Sequence, residues 1–395
     1  MSRHDTSAGD DATNRLGEVR RWLARTAELL SGTTVPVERY DPDRHDRLLA
    51  FDGLAGYEEV DRYWLNVPFA FASINYTHED DEYRYEVVEP HLDDLEAELL
   101  DRLFDDVREP LLYRGDVGAD PEEVLRDELA DRLGEYGVDI DVETFYRLYY
   151  YLYRRFHGYG PIDAIMHDPH VEDVSCDGPD LPIFVYHDEY TDVETSVTFG
   201  SDELNDFVIQ LAQRSGRHVS VSNPVVSTTL PDGSRAELAL GEEVTPRGSA
   251  FTIRKYAEEP FTPIDLLEYG TFDLDVLAYL WLCIENNKSL IFAGGTAAGK
   301  TTSMNAVSMF IPPRSKVLTI EDTRELSLYH DNWLSSVTRE RLDDDDITMY
   351  DLLRSALRHR PEYIIVGEVR GEEAITLFQA MNTGHTTFST MHADS

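Results

Sequence analysis

Gly294-Gly295-Thr296-Ala297-Ala298-Gly299-Lys300-Thr301 is a complete G-x-x-x-x-G-K-[ST] loop. The apolar run Ser289-Leu290-Ile291-Phe292-Ala293 precedes it, and Thr302-Ser303-Met304-Asn305-Ala306-Val307 follows with the composition of a helix. Strand, glycine loop, helix is the context that a nucleotide phosphate site requires. The glycines let backbone N–H groups turn toward a polyphosphate, and the helix N-terminus adds partial positive charge at the same point. In this reading Lys300 reaches the β- and γ-phosphates of a nucleotide and Thr301 the Mg2+. The alternative, a glycine turn with an ordinary surface lysine, leaves the flanking strand and helix unexplained.

The expected fold class is therefore α/β: a P-loop nucleotide domain near the end of the chain, preceded by two smaller α+β domains. A length of 395 residues with 42% hydrophobic content supports two or three cores. Asp and Glu number 77 against 35 Lys and Arg, a net charge of -42. That charge repels nucleic-acid phosphates over most of the surface, so no nucleic-acid partner is expected. The acidic residues run from Asp10 to Asp394 rather than gathering in one tail. This pattern suits a protein of molar-salt cytoplasm, where salt screens the self-repulsion. Cys176 and Cys283 lie far apart, outside any C-x-x-C or His-rich cluster, which fits a reducing compartment. No run approaches the roughly 18 apolar residues needed to span a bilayer, so a membrane role is expected to pass through a partner.

Periodicity divides the chain as follows. Residues 1–34 are an acidic extension whose later part reads as a helix, and 35–140 are an N-terminal α+β domain. The latter holds strand-like Tyr63-Trp64-Leu65-Asn66-Val67 and Tyr83-Arg84-Tyr85-Glu86-Val87-Val88, with helices over 91–113 and 121–135. Residues 141–257 open with a helix over 142–156, and Gly158-Tyr159-Gly160-Pro161 turns the chain into a second α+β unit. Its strands are expected at 182–187, 235–240 and 251–254, and its helix at 201–215. Two prolines in 258–263 suit a linker, and 264–395 form the nucleotide domain.

In open parallel sheets, ligands lie beyond the carboxyl ends of the strands, so chemistry should follow each apolar run. Lys316-Val317-Leu318-Thr319-Ile320 ends in Glu321-Asp322, which near a Mg-nucleotide can hold the metal's water shell or orient water. Tyr363-Ile364-Ile365-Val366-Gly367 ends in Glu368, a metal-coordinating or water-activating carboxylate. Solvated strand-end acids are the plain alternative for each. Arg354 and Arg358 sit four apart on a helix expected over 351–360, facing phosphate, a neighbouring subunit or the protein's own carboxylates. His385 and His392 bracket an apolar piece, either as γ-phosphate sensors or as structural histidines. Asp343 to Asp346 read as a solvated loop, with a cation site as the weaker reading.

Four segments, in this order and spacing, resemble the secretion ATPase superfamily of type II and type IV systems. They are Gly-Gly-Thr-Ala-Ala-Gly-Lys-Thr-Thr (294–302), Thr-Ile-Glu-Asp-Thr-Arg-Glu-Leu (319–326), Arg-Pro-Glu-Tyr-Ile-Ile-Val-Gly-Glu-Val-Arg-Gly (360–371) and Thr-Gly-His-Thr-Thr-Phe-Ser-Thr-Met-His (383–392). In the family these are the Walker A, Asp-box, Walker B and His-box. Residues 158–173 look like the start of the family's second N-terminal domain, and Tyr63 to Phe69 like its archaeal branch.

The resemblance implies a RecA-like ATPase domain behind a PAS-like one, in a cytoplasmic homo-hexamer. Such a ring uses ATP and Mg2+ to push on a polytopic membrane platform protein. Glu368 carries over as the hydrolytic carboxylate, Glu321 and Asp322 as the Asp-box, and His385 and His392 as the His-box. The nucleotide loop runs from Gly294 to Thr302, with Thr301, Glu321, Asp322 and Glu368 around Mg2+. Family arginines acting across the subunit boundary correspond to Arg217, Arg235 or Arg254, with Arg235 the first choice. A haloarchaeal type IV pilus assembly ATPase is the leading expectation. The archaellum motor ATPase and a non-hydrolysing assembly scaffold are the alternatives. Family members continue well past the His-box, so the domain is also expected to be truncated at its C-terminus.

Overall fold

The structure is a computed structural model that describes residues 39–42, 44–113, 120–256, 260–295, 298–338, 347–369, 371 and 373–393. The helix expected before residue 34, the Asp343–Asp346 run and Thr296 and Ala297 of the loop lie outside these residues. Two compact units emerge. One gathers the described residues up to 213 with 217–226 and 238–252; the other gathers 214–216, 227–237 and the described residues from 253 onward.

In the first unit, β1 (Glu58–Asn66), β2 (Ala70–Thr77) and β3 (Glu82–Val88) form an antiparallel meander. Helices α1 (Asp94–Tyr113), α2 (Pro121–Tyr136) and α3 (Val142–Phe156) pack around Leu103, Leu125, Leu129, Leu148 and Leu152, all fully buried. Asp120 caps α2 through the Glu122 N–H, Pro121 fits its first turn, and Gly137 ends it in the left-handed region at φ 63°. Asp141 caps α3 in the same way, with Arg154 and Arg155 in its last turn.

A short helix α4 (Asp163–Met166) then leads into β4 (Val171–Cys176), β5 (Pro182–His187), β6 (Thr191–Thr198), α5 (Ser201–Arg214), β7 (Val225–Thr229), β8 (Arg235–Ala239) and β9 (Ala250–Arg254). All nine strands share one sheet in the order β1-β2-β3-β6-β5-β4-β9-β8-β7. Strands on either side of residue 140 thus join through the parallel β3/β6 pair, Arg84 opposite Glu194.

The second unit carries α6 (Pro263–Glu268), α7 (Leu274–Glu285), β10 (Leu290–Gly294), α8 (Lys300–Ser308), β11 (Val317–Glu321), β12 (Trp333–Val337), α9 (Met349–Ala356), β13 (Tyr363–Val369), α10 (Glu373–Asn382) and β14 (Thr386–His392). Its five strands are all parallel in the order β10-β14-β13-β11-β12. Strand periodicity of two sends alternate side chains into two cores. Tyr363 and Ile365 of β13 join Met304, Val307 and Phe388 in one, while Ile364 and Val366 join Leu318, Leu353 and Leu377 in the other. A sheet covered on both faces gives the near-continuous apolar runs of β11 and β13. This is the expected α/β class. Among the described residues no helix is long and apolar enough to cross a membrane.

Candidate phosphate site at the carboxyl edge of the parallel sheet

Because every strand of this sheet points the same way, Gly294, His392, Glu368 and Glu321 all fall at one edge. The phosphate loop leaves β10 there. Gly299 takes φ 73°, a conformation open to glycine at little cost, and hands the chain to α8 without any side-chain cap. Five other helices are capped by Asp120, Asp141, Thr262, Asp273 or Thr348, while the short α4 also lacks a side-chain cap. The first N–H groups of α8 are thus left for a ligand, the arrangement that binds phosphate at helix N-termini. Half-buried Lys300 folds over the loop, its Nζ donating to the Gly295 carbonyl at 2.6 Å. That ammonium lies where a polyphosphate would take it, so the residues present fit a bound nucleotide. Thr301 is half-buried and Thr302 exposed in the first turn of the helix.

Two strands away from β10, a register shift between Val366 and Glu368 bends β13. Bulges re-aim side chains at strand ends. The Gly367 carbonyl accepts the Thr390 hydroxyl at 2.6 Å, which pins the bulge to β14, and Glu368 beyond it is half-buried. Glu368 pairs with Thr390, which pairs with Phe292 of β10, so one row links it to the strand that feeds the loop. Neighbouring strands lie about 4.8 Å apart, which sets the Glu368 backbone roughly 10 Å from β10, with β14 between them.

Glu321 is placed differently from a solvated strand-end acid. It is 1% exposed, and its Oε1 accepts the N–H groups of Glu325 and Leu326 at 2.9 and 2.8 Å. Its Oε2 is buried without a hydrogen-bond partner. The carboxyl group therefore organises the 322–326 loop rather than facing outward. Burial pushes it up to about 7 from an ordinary 4.5, against the pull of those two N–H groups. The native chain thus favours the neutral acid, and the stability this gives is complete below about 4.5 and lost as pH rises through about 7. Glu321→Gln should flatten the fall in unfolding free energy between about pH 5 and about pH 8, by at most about 3 kcal/mol. Urea titrations with equal slopes in both proteins would contradict this.

Asp322 is exposed and accepts the Thr338 hydroxyl at 3.2 Å. Among the described residues no group of three or more His, Cys, Asp or Glu is placed to hold a metal ion. Thr301 with one carboxylate and phosphate oxygens is nonetheless the kind of set Mg2+ takes.

The two histidines part company. His392 pairs with Gly294 at the loop edge, whereas His385 precedes Thr386 at the opposite edge, against the Thr383 hydroxyl at 3.3 Å. Seven residue steps along β14 separate them, roughly 23 Å at about 3.3 Å per residue. Within one chain, then, β14 brings only His392 to the phosphate edge, a consequence of strand direction.

Arg217 lies in the first unit, half-buried, its N–H on the Ala212 carbonyl. Arg235 and Arg254 group with the second unit and are exposed; Arg235 Nε is 3.7 Å from Glu237. Arg354 and Arg358 are also exposed, Arg354 over the Tyr350 ring at 5.5 Å. The helix expected over 351–360 runs as α-helix to Ala356 and continues as a 3-10 turn over Leu357–His359, after which Arg360 turns left-handed at φ 52° before Pro361.

Sequence reading passed over Arg324, whose guanidinium lies 5.7 Å from the centre of the Tyr256 ring and 5.5 Å from that of Trp333. An aromatic residue just past β9 was the available signal.

Comparison with known proteins adds family context. Residues 158–395 match the Type II/IV secretion system protein family, and residues 17–91 match the family described as PilB3-like, N-terminal. An uncharacterized protein of Methanocaldococcus jannaschii is 44% identical over 264 residues, 66% of this chain and 48% of that protein. The type IV secretion system protein PtlH of Bordetella pertussis is 33% identical over 220 residues, 49% of this chain and 64% of PtlH. The X-ray structure of the Legionella pneumophila ATPase DotB aligns with a TM-score of 0.42 at 20% identity, over 58% of this chain and 64% of DotB. The chain spans about half the length of the first curated relatives it matches, 48% and 43%.

Proposed function

The chain belongs to the Type II/IV secretion system protein family, and from that premise we propose that it is an ATP-hydrolysing motor. The observation that carries this reading is the uncapped N-terminus of α8 beside Lys300, with Glu368 on the same sheet edge. Lys300 exchanges the Gly295 carbonyl for phosphate oxygens, and the first N–H groups of α8 hold the same anion. Thr301 offers its hydroxyl to Mg2+, with Glu368 and Asp322 as the carboxylates near it. Mg2+ held there would supply neutralisation of phosphate charge. Glu368 orients the attacking water, His392 lies beside the loop, and Glu321 keeps the 322–326 loop in shape.

The motor works as a homo-hexamer in the cytoplasm, pushing on a polytopic membrane platform protein to build a type IV pilus-like filament or to drive secretion. Net charge of -42 supports a molar-salt cell interior.

The test is ATP hydrolysis in molar KCl across a protein concentration series, with oligomer mass followed by light scattering. Turnover per chain should rise as the oligomer forms. Equal turnover by monomer and oligomer would sink the ring mechanism, and binding without turnover at any concentration would sink hydrolysis. Arg235→Ala should slow the assembled oligomer by on the order of a thousandfold, the scale of an arginine supplied in trans, while monomer nucleotide affinity stays within about twofold of wild type. An unchanged oligomer rate would remove Arg235 from the site.

A further inference from the structure

Glu321 is wrapped by the 322–326 loop, whose Glu325 and Leu326 N–H groups both end on its Oε1. The one cationic side chain of that loop is Arg324, and its guanidinium lies over two aromatic rings, Tyr256 and Trp333. A further bond holds the Trp333 ring and another the Tyr256 backbone. Trp333 Nε1 donates to the Thr319 hydroxyl at 3.0 Å, two residues before Glu321 on β11. The Tyr256 N–H donates to the Ser234 hydroxyl at 3.1 Å.

Beneath Tyr256 lies the turn between β7 and β8, closed by the Gly233 N–H on the Leu230 carbonyl at 3.0 Å. A Cβ added at Gly233 would stand 3.2 Å from the Tyr256 ring, so this turn rests directly on the aromatic face. Arg235, the residue assigned above to act across a subunit boundary, begins β8 immediately after this turn. A chain of contacts therefore runs from the 231–234 turn through Tyr256 and Arg324 to the loop that holds Glu321.

We infer that Arg324 is a positioning residue, clamped between Tyr256 and Trp333, and that this clamp couples the 231–234 turn to the Asp-box loop of the phosphate site. Movement of the turn, and of Arg235 with it, is thereby felt at Glu321 and Asp322. The effect on turnover rests on the ATPase reading; the effect on the loop does not. A planar guanidinium is the group suited to this place, since it stacks on two rings at once, which an ammonium does poorly.

The test uses the full-length protein with Tyr256→Leu, Tyr256→Phe, Arg324→Ala and the Tyr256→Leu/Arg324→Ala pair. Amide hydrogen exchange over residues 321–326 should speed up roughly two- to fivefold in Tyr256→Leu and Arg324→Ala, the factor that a partly exposed cation–π contact carries. Tyr256→Phe keeps the ring and should match wild type. ATP turnover should fall by a similar factor at unchanged KM, and the paired variant should be no worse than either single one, because the two residues form one contact.

Exchange at 321–326 that is unchanged in Tyr256→Leu, or equally fast in Tyr256→Phe, overturns the inference whatever the turnover. Losses that multiply in the paired variant overturn it as well. Faster exchange in a protein whose wild type hydrolyses no ATP supports the clamp and overturns the ATPase reading alone.

Discussion

Lys300→Ala should weaken ATP binding by about a hundredfold or more. The Lys300 ammonium reaches across the loop to the Gly295 carbonyl, so it already sits over the place where phosphates would lie. Charge-assisted hydrogen bonds contribute about 1.5–3 kcal/mol each, and in the proposed role Lys300 would make two of them, to β- and γ-oxygens. Tenfold in affinity is about 1.4 kcal/mol, which sets the size of the expected loss. Folding should survive, because the side chain is half-buried and its hydrogen bond to the loop joins near neighbours. Titration of a fluorescent ATP analogue reads the affinity and circular dichroism reads the fold. An affinity within about fivefold of wild type would mean that the N–H groups of α8 hold the phosphates alone.

The second large effect separates binding from chemistry. Glu368→Gln preserves the shape of the side chain at the end of the β13 bulge and removes its charge. ATP affinity should stay within about threefold, since the contacts from Lys300 and the α8 N-terminus are untouched. Turnover should drop about a hundredfold or more, the range associated with loss of a positioned acid–base group. Rapid-quench single-turnover measurements read the chemical step directly. A wild-type rate in Glu368→Gln would move the water-orienting role elsewhere, with exposed Asp322 the next residue to test.

Much of this site is written in local sequence. Phosphate binding needs small residues, a left-handed glycine and a helix start in immediate succession, so Gly294 to Thr301 can be read without knowing any neighbour. Glu368 is legible for a related reason: a parallel strand buried on both faces becomes an apolar run, and its end is visible. What escapes reading depends on partners distant in sequence.

Strand β2, Ala70-Phe71-Ala72-Ser73-Ile74-Asn75-Tyr76-Thr77, has almost every residue buried and so lacks the alternation that marks a half-exposed strand. Helix α7, Leu-Asp-Val-Leu-Ala-Tyr-Leu-Trp-Leu-Cys-Ile-Glu, is apolar on nearly every side, with Leu274, Tyr279 and Leu282 more than 60% exposed, and offers no polar face to set its period. The inward turn of Glu321 is decided by two amides four and five residues later, which composition does not reveal. His385 could have been set apart from His392 by strand direction alone, since only one end of a parallel strand faces the ligand edge.

The place of β14 bears on how the site is built over time. This strand lies between β10 and β13, and among the described residues β10 has no other strand beside it. Leu290 must therefore wait for Phe388 before it gains a backbone partner in the sheet. Such long-range pairing is slow, since the chain must be closed over a long loop before any contact rewards it. On the ribosome, the phosphate loop is synthesised early but gains its rigid footing only when residues 386–392 slot in beside it. Until residues 386–392 pair with it, β10 lacks the described strand that fixes the register of the segment it feeds.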